Sequence, residues 1–280
     1  MKAKRLLGAL LAAGLGLVAM SHSSDVLAAG GKPKKEAAAP PQAEPPMTKK
    51  AIGLPLKGVA FGQSPKQVAE AIDNLLNEDY RPLYKEVQPG VRMKALDAQL
   101  AEDKDQFRRS RIDFGKLPTG VDSTPLRGEY TYQNKEALYQ LNRKGGVTSF
   151  FFIQERLWKI IVEYKLGDSS ALGKTFQDGV VKLTTIYGAP GRVTPADAKH
   201  FATEIDWKDG NIHLRAIQRS DTALGLAFED ASTLASLASL RTFKPAEDSG
   251  IDPAVAAAMR GASPEPGPPA KADPKTKPKK

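Results

Sequence analysis

Val68, Ile72, Leu75 and Leu76 recur at helical spacing, which places them on one face of a helix. Its start is written in Gly62-Gln63-Ser64-Pro65-Lys66-Gln67: Ser64 suits the N-cap, Pro65 the first helical position, and Gln67 completes a capping box. Leu54–Phe61, just before, reads as a short strand. A second helix is predicted over 91–108, with Leu96, Leu100 and Phe107 as its apolar stripe. From Arg111 onward the period shifts towards two. Arg111–Phe114 and Gly128–Tyr132 are strand candidates, and Ala137–Lys144 and Val147–Ile153 flank Gly145-Gly146, the chemistry of a two-residue hairpin turn. Ser149–Ile153 is apolar at both parities, as a strand covered on both faces would be.

Arg156–Leu166 alternates, with Trp158, Ile160, Val162, Tyr164 and Leu166 on one side and Lys159, Glu163 and Lys165 on the other. Ser170–Tyr187 carries the best helical pattern. Leu172, Phe176, Val180, Leu183 and Tyr187 share a face, Gly188 suits the left-handed terminal position, and Pro190 bars continuation. Strands at 199–207, 211–219 and 223–229 follow, then a helix near 231–241 begun by Asp230. Together these elements predict an α+β domain over 52–244: a single antiparallel sheet of six or seven strands with helices mainly on one face. Half-repeats over 52–166 and 167–244, each a helix followed by strands, are compatible with this order.

Asp209-Gly210 is a second hairpin signal. With those two residues as the loop, Phe201, Ile205, Trp207, Ile212 and Leu214 fall on one face. His200, Glu204, Asp206, Lys208, His213, Arg215 and Arg219 fall on the other, and His213 lies opposite Asp206. Such a separation is what a half-buried antiparallel sheet needs.

The two ends change the picture. Lys2, Lys4 and Arg5 precede an apolar stretch from Leu6 to Met20, and Val26 and Ala28 offer small residues at the −3 and −1 positions of a cleavage site. Residues 1–28 therefore read as a signal peptide cut after Ala28, with Ala29 the alternative. Fifteen residues are too few to cross a hydrocarbon core of about 30 Å comfortably, which argues against an uncleaved anchor. The expected location is the periplasm or the outside, with no membrane span after cleavage. Residues 29–51 form a Pro/Ala/Lys-rich linker, and 245–280 a basic, proline-rich tail with a short helix expected over 253–260. Neither arm carries enough apolar surface to build a core, so both are expected to be disordered.

The net charge of +9 belongs mostly to these ends, since 51–249 carries a net of only +1. A basic-surface argument for nucleic acid therefore fails. The tail lysines Lys275, Lys277, Lys279 and Lys280 suit either a solvated spacer or a tether to an anionic envelope component. The absence of cysteine removes disulfides, thiolate metal sites, a cysteine nucleophile and a lipoprotein anchor.

Chemistry is thinly signalled. There is no phosphate-binding glycine loop, no H-E-x-x-H and no G-x-S-x-G. His200 and His213 would lie roughly 20 Å apart along the sheet, too far to share a metal ion. His213 with Asp206 is a candidate proton-transfer dyad; the alternative is a cross-strand charge pair on a solvated face, with Glu204–Arg215 beside it. Arg108-Arg109-Ser110-Arg111 follows Glu102, Asp103 and Asp105, so local neutralisation accounts for it better than an anion site does. The candidate binding residues are accordingly Glu204, Asp206, His213 and Arg215. No catalytic residue, metal or cofactor is assigned.

Phe61-Gly62-Gln63-Ser64-Pro65 with Val68 resembles the glycine–x–Ser/Thr helix start of the small outer-membrane β-barrel-assembly lipoproteins and the β-lactamase-inhibitor-like domains. The resemblance implies helices packed on one face of an antiparallel sheet and action by binding proteins. It is confined to that short run, and the lipoprotein cysteine is missing here. Two functions follow as expectations. One is a non-catalytic envelope protein that binds a protein or cell-wall component; its oligomeric state is left open. The other is a hydrolase with a carboxylate pair, which requires a concave site and a carboxylate of raised pKa.

Overall fold

The computed structural model describes residues 44–116, 124–197 and 201–243. The leader with Ala28, most of the linker, His200, the 253–260 helix and the four tail lysines lie outside the described residues.

The described residues form four helices and eight strands, in chain order α1 (Pro65–Glu86), α2 (Val91–Arg109), β1 (Ile112–Asp113), β2 (Glu136–Arg143), β3 (Gly146–Ile153), β4 (Arg156–Lys165), α3 (Phe176–Tyr187), β5 (Arg192–Thr194), β6 (Glu204–Lys208), β7 (Ile212–Ser220), β8 (Ala223–Asp230) and α4 (Ala231–Leu240). One antiparallel sheet holds all the strands in the order β1-β2-β3-β4-β8-β7-β6-β5. The count exceeds the expected six or seven because both edges are closed by strands of two and three residues. Each half is a helical segment followed by a four-stranded run, and the last strands of the halves, β4 and β8, pair at the centre.

One face of the sheet is covered by helices α1 to α3. Val68, Ile72 and Leu76 of α1 and Phe107 of α2 pack on Tyr139, Phe150, Phe152 and Ile160. Phe176, Val180 and Leu183 of α3 pack on Ile205, Trp207, Leu214 and Phe228. The opposite face buries Leu138, Phe151, Trp158, Ile161 and Ile217 beneath Leu126 and the leucines of α4. No helix among the described residues is long and apolar enough to cross a membrane.

The caps work as written. Ser64 and Gln67 form the capping box of α1, and Gly188 ends α3 at φ +70°. Yet α3 begins at Phe176 rather than Ser170, because Thr175 and Asp178 form a capping box of their own. Leu172 still packs against the core from the preceding loop. Leu54–Phe61 and Gly128–Tyr132 are not strands but turns and bends. Residues 44–51, expected at the end of a disordered linker, lie along the sheet: the Lys208 N–H donates to the Pro46 carbonyl at 3.0 Å, and the Thr48 N–H to the Lys208 carbonyl at 2.8 Å.

Both hairpin turns sit one residue from where expected. Arg143 pairs with Gly146, so the β2–β3 loop is Lys144-Gly145, both at positive φ as a type I′ turn requires. In β6–β7 the loop is Gly210-Asn211, closed by the Asp209 N–H donating to the Ile212 carbonyl. The cause is Asp209: its carboxylate accepts from Asn211 N and Ile212 N, both at 2.7 Å, and from Ile52 N at 2.6 Å. The register moves by two, so Asp206 lies opposite Arg215 and His213 opposite Lys208. An even shift leaves every side chain on its expected face.

Trp158 changes face. Phe151 pairs with Lys159 and Phe152 with Leu157, leaving Trp158 as the extra residue of a bulge. Loop residues Gly62 and Gln63 hydrogen-bond Leu157 there, so Trp158 joins the core on the α4 side.

Gly191 gives a direct packing test. A Cβ at this position would lie 2.7 Å from the Trp207 ring and would also strike Ile205. Trp207 cannot retreat, being fully buried and donating its Nε1–H to the Ala189 carbonyl at 2.9 Å. Gly191→Ala is expected to cost about 1–3 kcal/mol in urea unfolding, as overpacking does; an unchanged midpoint would mean that this corner is loose.

Candidate functional site

The α4 side of the sheet carries two rows of ionisable side chains, set by strand register. Lys159 of β4 lies opposite Glu229 of β8, which lies opposite His213 of β7. Arg192 of β5 lies opposite Asp206 of β6, which lies opposite Arg215 of β7. Charge alternates across both rows, the arrangement in which cross-strand neighbours attract. Glu204 adds a carboxylate from the end of β6, and Glu129 descends from the 124–132 segment.

These groups are knit together. Arg215 donates to Glu129 at 2.6 Å, to Glu229 at 2.8 and 3.2 Å, and to Glu204 at 3.0 and 3.1 Å. Lys159 donates to the Glu129 carboxylate at 2.8 Å and to its backbone carbonyl, and lies 4.5 Å from the Trp158 ring centre. His213 Nδ1 lies 2.8 Å from Glu229 and Nε2 lies 3.0 Å from Asp206, which also accepts from Arg192. The expected neighbours His213–Asp206 and Glu204–Arg215 do meet, but diagonally across the shifted register.

The face is not solvated. Lys159, Asp206, Glu229 and Glu129 are all buried, with Lys159 only 2% exposed, and the 124–132 segment and α4 flank Lys159 and Glu229. Burial would push the carboxylates up and His213 down, but the pairings win. Glu129 is lowered to about 2 by Lys159 and Arg215, and Glu229 is held below the usual range by Arg215, His213 and Lys159. Asp206 is lowered by His213 and Arg192. His213 rises to about 9 through its bonds to Asp206 and Glu229. Lys159 is pulled down by burial, against the attraction of Glu129 and Glu229.

A cleft of about 690 Å³ opens over this floor, lined by Glu129, Lys159, His213 and Arg215 below and by Phe201 and Leu237 at its sides. Phe201, expected in the apolar core, is 63% exposed, because β6 begins only at Glu204. It lies under the Arg127 guanidinium, 4.8 Å from the ring centre.

What this arrangement can do is limited by its own pairing. A His213 protonated to about pH 9, with each ring nitrogen on a carboxylate, has no lone pair to act as a base. The carboxylates of the cluster whose pKa values shift are lowered, so they do not supply the protonated acid that glycoside or peptide hydrolysis calls for. No cluster of three or more His, Asp or Glu side chains among the described residues is arranged to hold a metal ion.

No family model matches the chain, and no curated protein matches it. Among solved structures, a cysteine-rich secretory protein from Staphylococcus aureus subsp. aureus Mu50 is similar at 12% identity, over 36% of this chain and 38% of that one, with a TM-score of 0.23. A likeness of that size carries no argument.

Of the cluster, the sequence pointed to Glu204, Asp206, His213 and Arg215 and missed Glu129, Lys159, Arg192 and Glu229. A signal for two of these existed: Lys159 interrupts the apolar run Trp158–Val162, and the opposite charge Glu229 directly follows the run Leu224–Phe228. Glu129 carried none, because a loop residue's partner depends on the loop's path. The basic cluster at 108–111 is locally neutralised, with Arg108 on Asp73, Arg109 on Glu102 and Arg111 on Asp113 and Glu155.

Proposed function

We propose that this chain is an exported envelope protein whose α+β domain binds a protein or cell-wall component in the cleft beside α4, without chemistry. The observation that carries this reading is the pairing of the cleft floor: its acids and bases neutralise one another, which suits a rigid recognition surface better than a reaction centre. Phe201 with Arg127 and the side chains of α4 supply an apolar and cationic rim of the kind that anchors ligands. Export rests on the leader.

The test places a photo-crosslinking amino acid at Phe201, and separately at Val181, which is 55% exposed on α3 over the other face. Cells expressing either form are irradiated, and products are resolved into protein and glycan adducts. A discrete adduct from position 201 but not 181, on envelope-fraction protein beginning at Ala29, is the expected outcome. Equal labelling from both positions, or a mature chain beginning at Met1, sinks the proposal.

A further inference from the structure

The helical hairpin is longer than its core contact requires. In α1 the buried residues are Val68, Ile72 and Leu76, and in α2 only Phe107. Between 77 and 106 no side chain is buried. Leu100 reaches the core and Asp79 accepts from Arg143 of β2 at 2.7 Å; otherwise this distal part is held by bonds between the helices, as Tyr80 donates to Asp103 at 2.6 Å, Tyr84 to Asp97 at 2.7 Å, and Lys104 to Asn77 at 2.7 Å. Contact with the sheet does not account for the stretch from 80 to 99.

Its tip, residues 81–95, combines two features. Leu83 is 44% exposed and Val91 86% exposed, the latter the most exposed large apolar residue described. Around them stand Arg81, Lys85, Arg92 and Lys94, against Glu86 alone, a net of +3. None of the four cations has an ion-pair or hydrogen-bond partner among the described residues, whereas Arg108, Arg109, Arg111 and Arg143 of the same region are each paired. The helix start adds to the positive potential. Gly90 caps α2 without a side-chain bond, and its first turn holds no acid. Arg92 and Lys94 there oppose the helix dipole. Local rules broken without compensation inside the chain point to a partner outside it.

We infer that this tip docks on a bilayer of anionic phospholipid. Cations on both helices accompany a small exposed apolar point. That is the geometry of shallow interfacial insertion, in which Leu83 and Val91 enter the headgroup boundary while the long cations reach phosphates. The tip lies outside the cleft beside α4 and acts independently of it.

The chain has no cysteine, so Val91→Cys takes an environment-sensitive fluorophore at one place. The protein without residues 1–28 is mixed, at about 0.1 M salt, with vesicles of equal phosphatidylglycerol and phosphatidylcholine or of phosphatidylcholine alone. The expected result is flotation and a blue shift with the anionic vesicles only. Each cation near an anionic surface is worth a factor of about five, so Lys85→Ala with Arg92→Ala should lower partitioning about 25-fold. Both sites are exposed and unpartnered, and circular dichroism checks that the fold is kept. Deleting 262–280 removes the tail lysines and should weaken binding without abolishing the blue shift. Failure to float with anionic vesicles overturns the inference. So does binding lost only with the tail, binding indifferent to the double substitution, or a probe that stays unshifted on the vesicles. Crosslinking at Phe201 needs no vesicle, so the two readings fail separately.

Discussion

Replacing Arg215 by methionine should remove about 3–5 kcal/mol of folding stability, the cost of breaking a buried ion pair from one side. Arg215 is the shared partner of Glu129, Glu204 and Glu229, and its guanidinium makes five hydrogen bonds to them. Methionine keeps most of the aliphatic stem, so the loss reports the charge rather than a cavity. Glu129 and Glu229 would stay buried with Lys159 as their remaining close full-charge neighbour besides His213. Urea unfolding at neutral pH measures the loss. Adding Glu229→Gln to the Arg215→Met chain removes one stranded charge, and should recover part of the stability although it deletes a second member of the cluster. A loss below about 1 kcal/mol would be that of an exposed pair, and would mean water reaches these groups freely.

The way this cluster forms marks where the sequence was legible and where it was not. Alternation in β6 and β7 placed Glu204, Asp206, His213 and Arg215 on one face. That survived a wrong turn position, because the shift imposed by the Asp209 carboxylate was even. An odd irregularity is not forgiven so easily. The bulge in β4 turned Trp158 to the α4 side, and its cause lies in residues 62–63, almost a hundred positions earlier in the chain. Helix starts were legible wherever a capping box stood at the end of a periodic run, as at Ser64, but Leu172 extended the pattern of α3 past its true start at Thr175. The sharpest failure concerns the polar face itself. Alternation says which side chains share a face but not what covers that face. The 124–132 segment and α4 turn an expected solvated ladder into a buried network, and only their tertiary path brings Glu129 to Lys159 and Arg215.

That burial makes the protein's stability depend on pH in a defined window. His213 rises from the ordinary 6.5 to about 9 in the folded chain because its protonated ring is held between Asp206 and Glu229. A group whose pKa is raised by folding stabilises fully below its unfolded value and loses that contribution as pH climbs through the folded value. The shift corresponds to about 3 kcal/mol, present at pH 6 and gone near pH 10. Asp206, Glu129 and Glu229 are lowered by the same contacts, so their contribution holds at neutral pH and disappears only in strong acid. Lys159, lowered by burial, tilts stability the other way below 10.5. The informative quantity is therefore the difference between wild type and His213→Gln, measured by urea unfolding at pH steps from 6 to 9.5. That difference should shrink by more than about 2 kcal/mol across the window. If it stays constant, His213 keeps its ordinary pKa in the fold, is neutral above about pH 7, and the charge alternation Lys159–Glu229–His213 is broken at its last member.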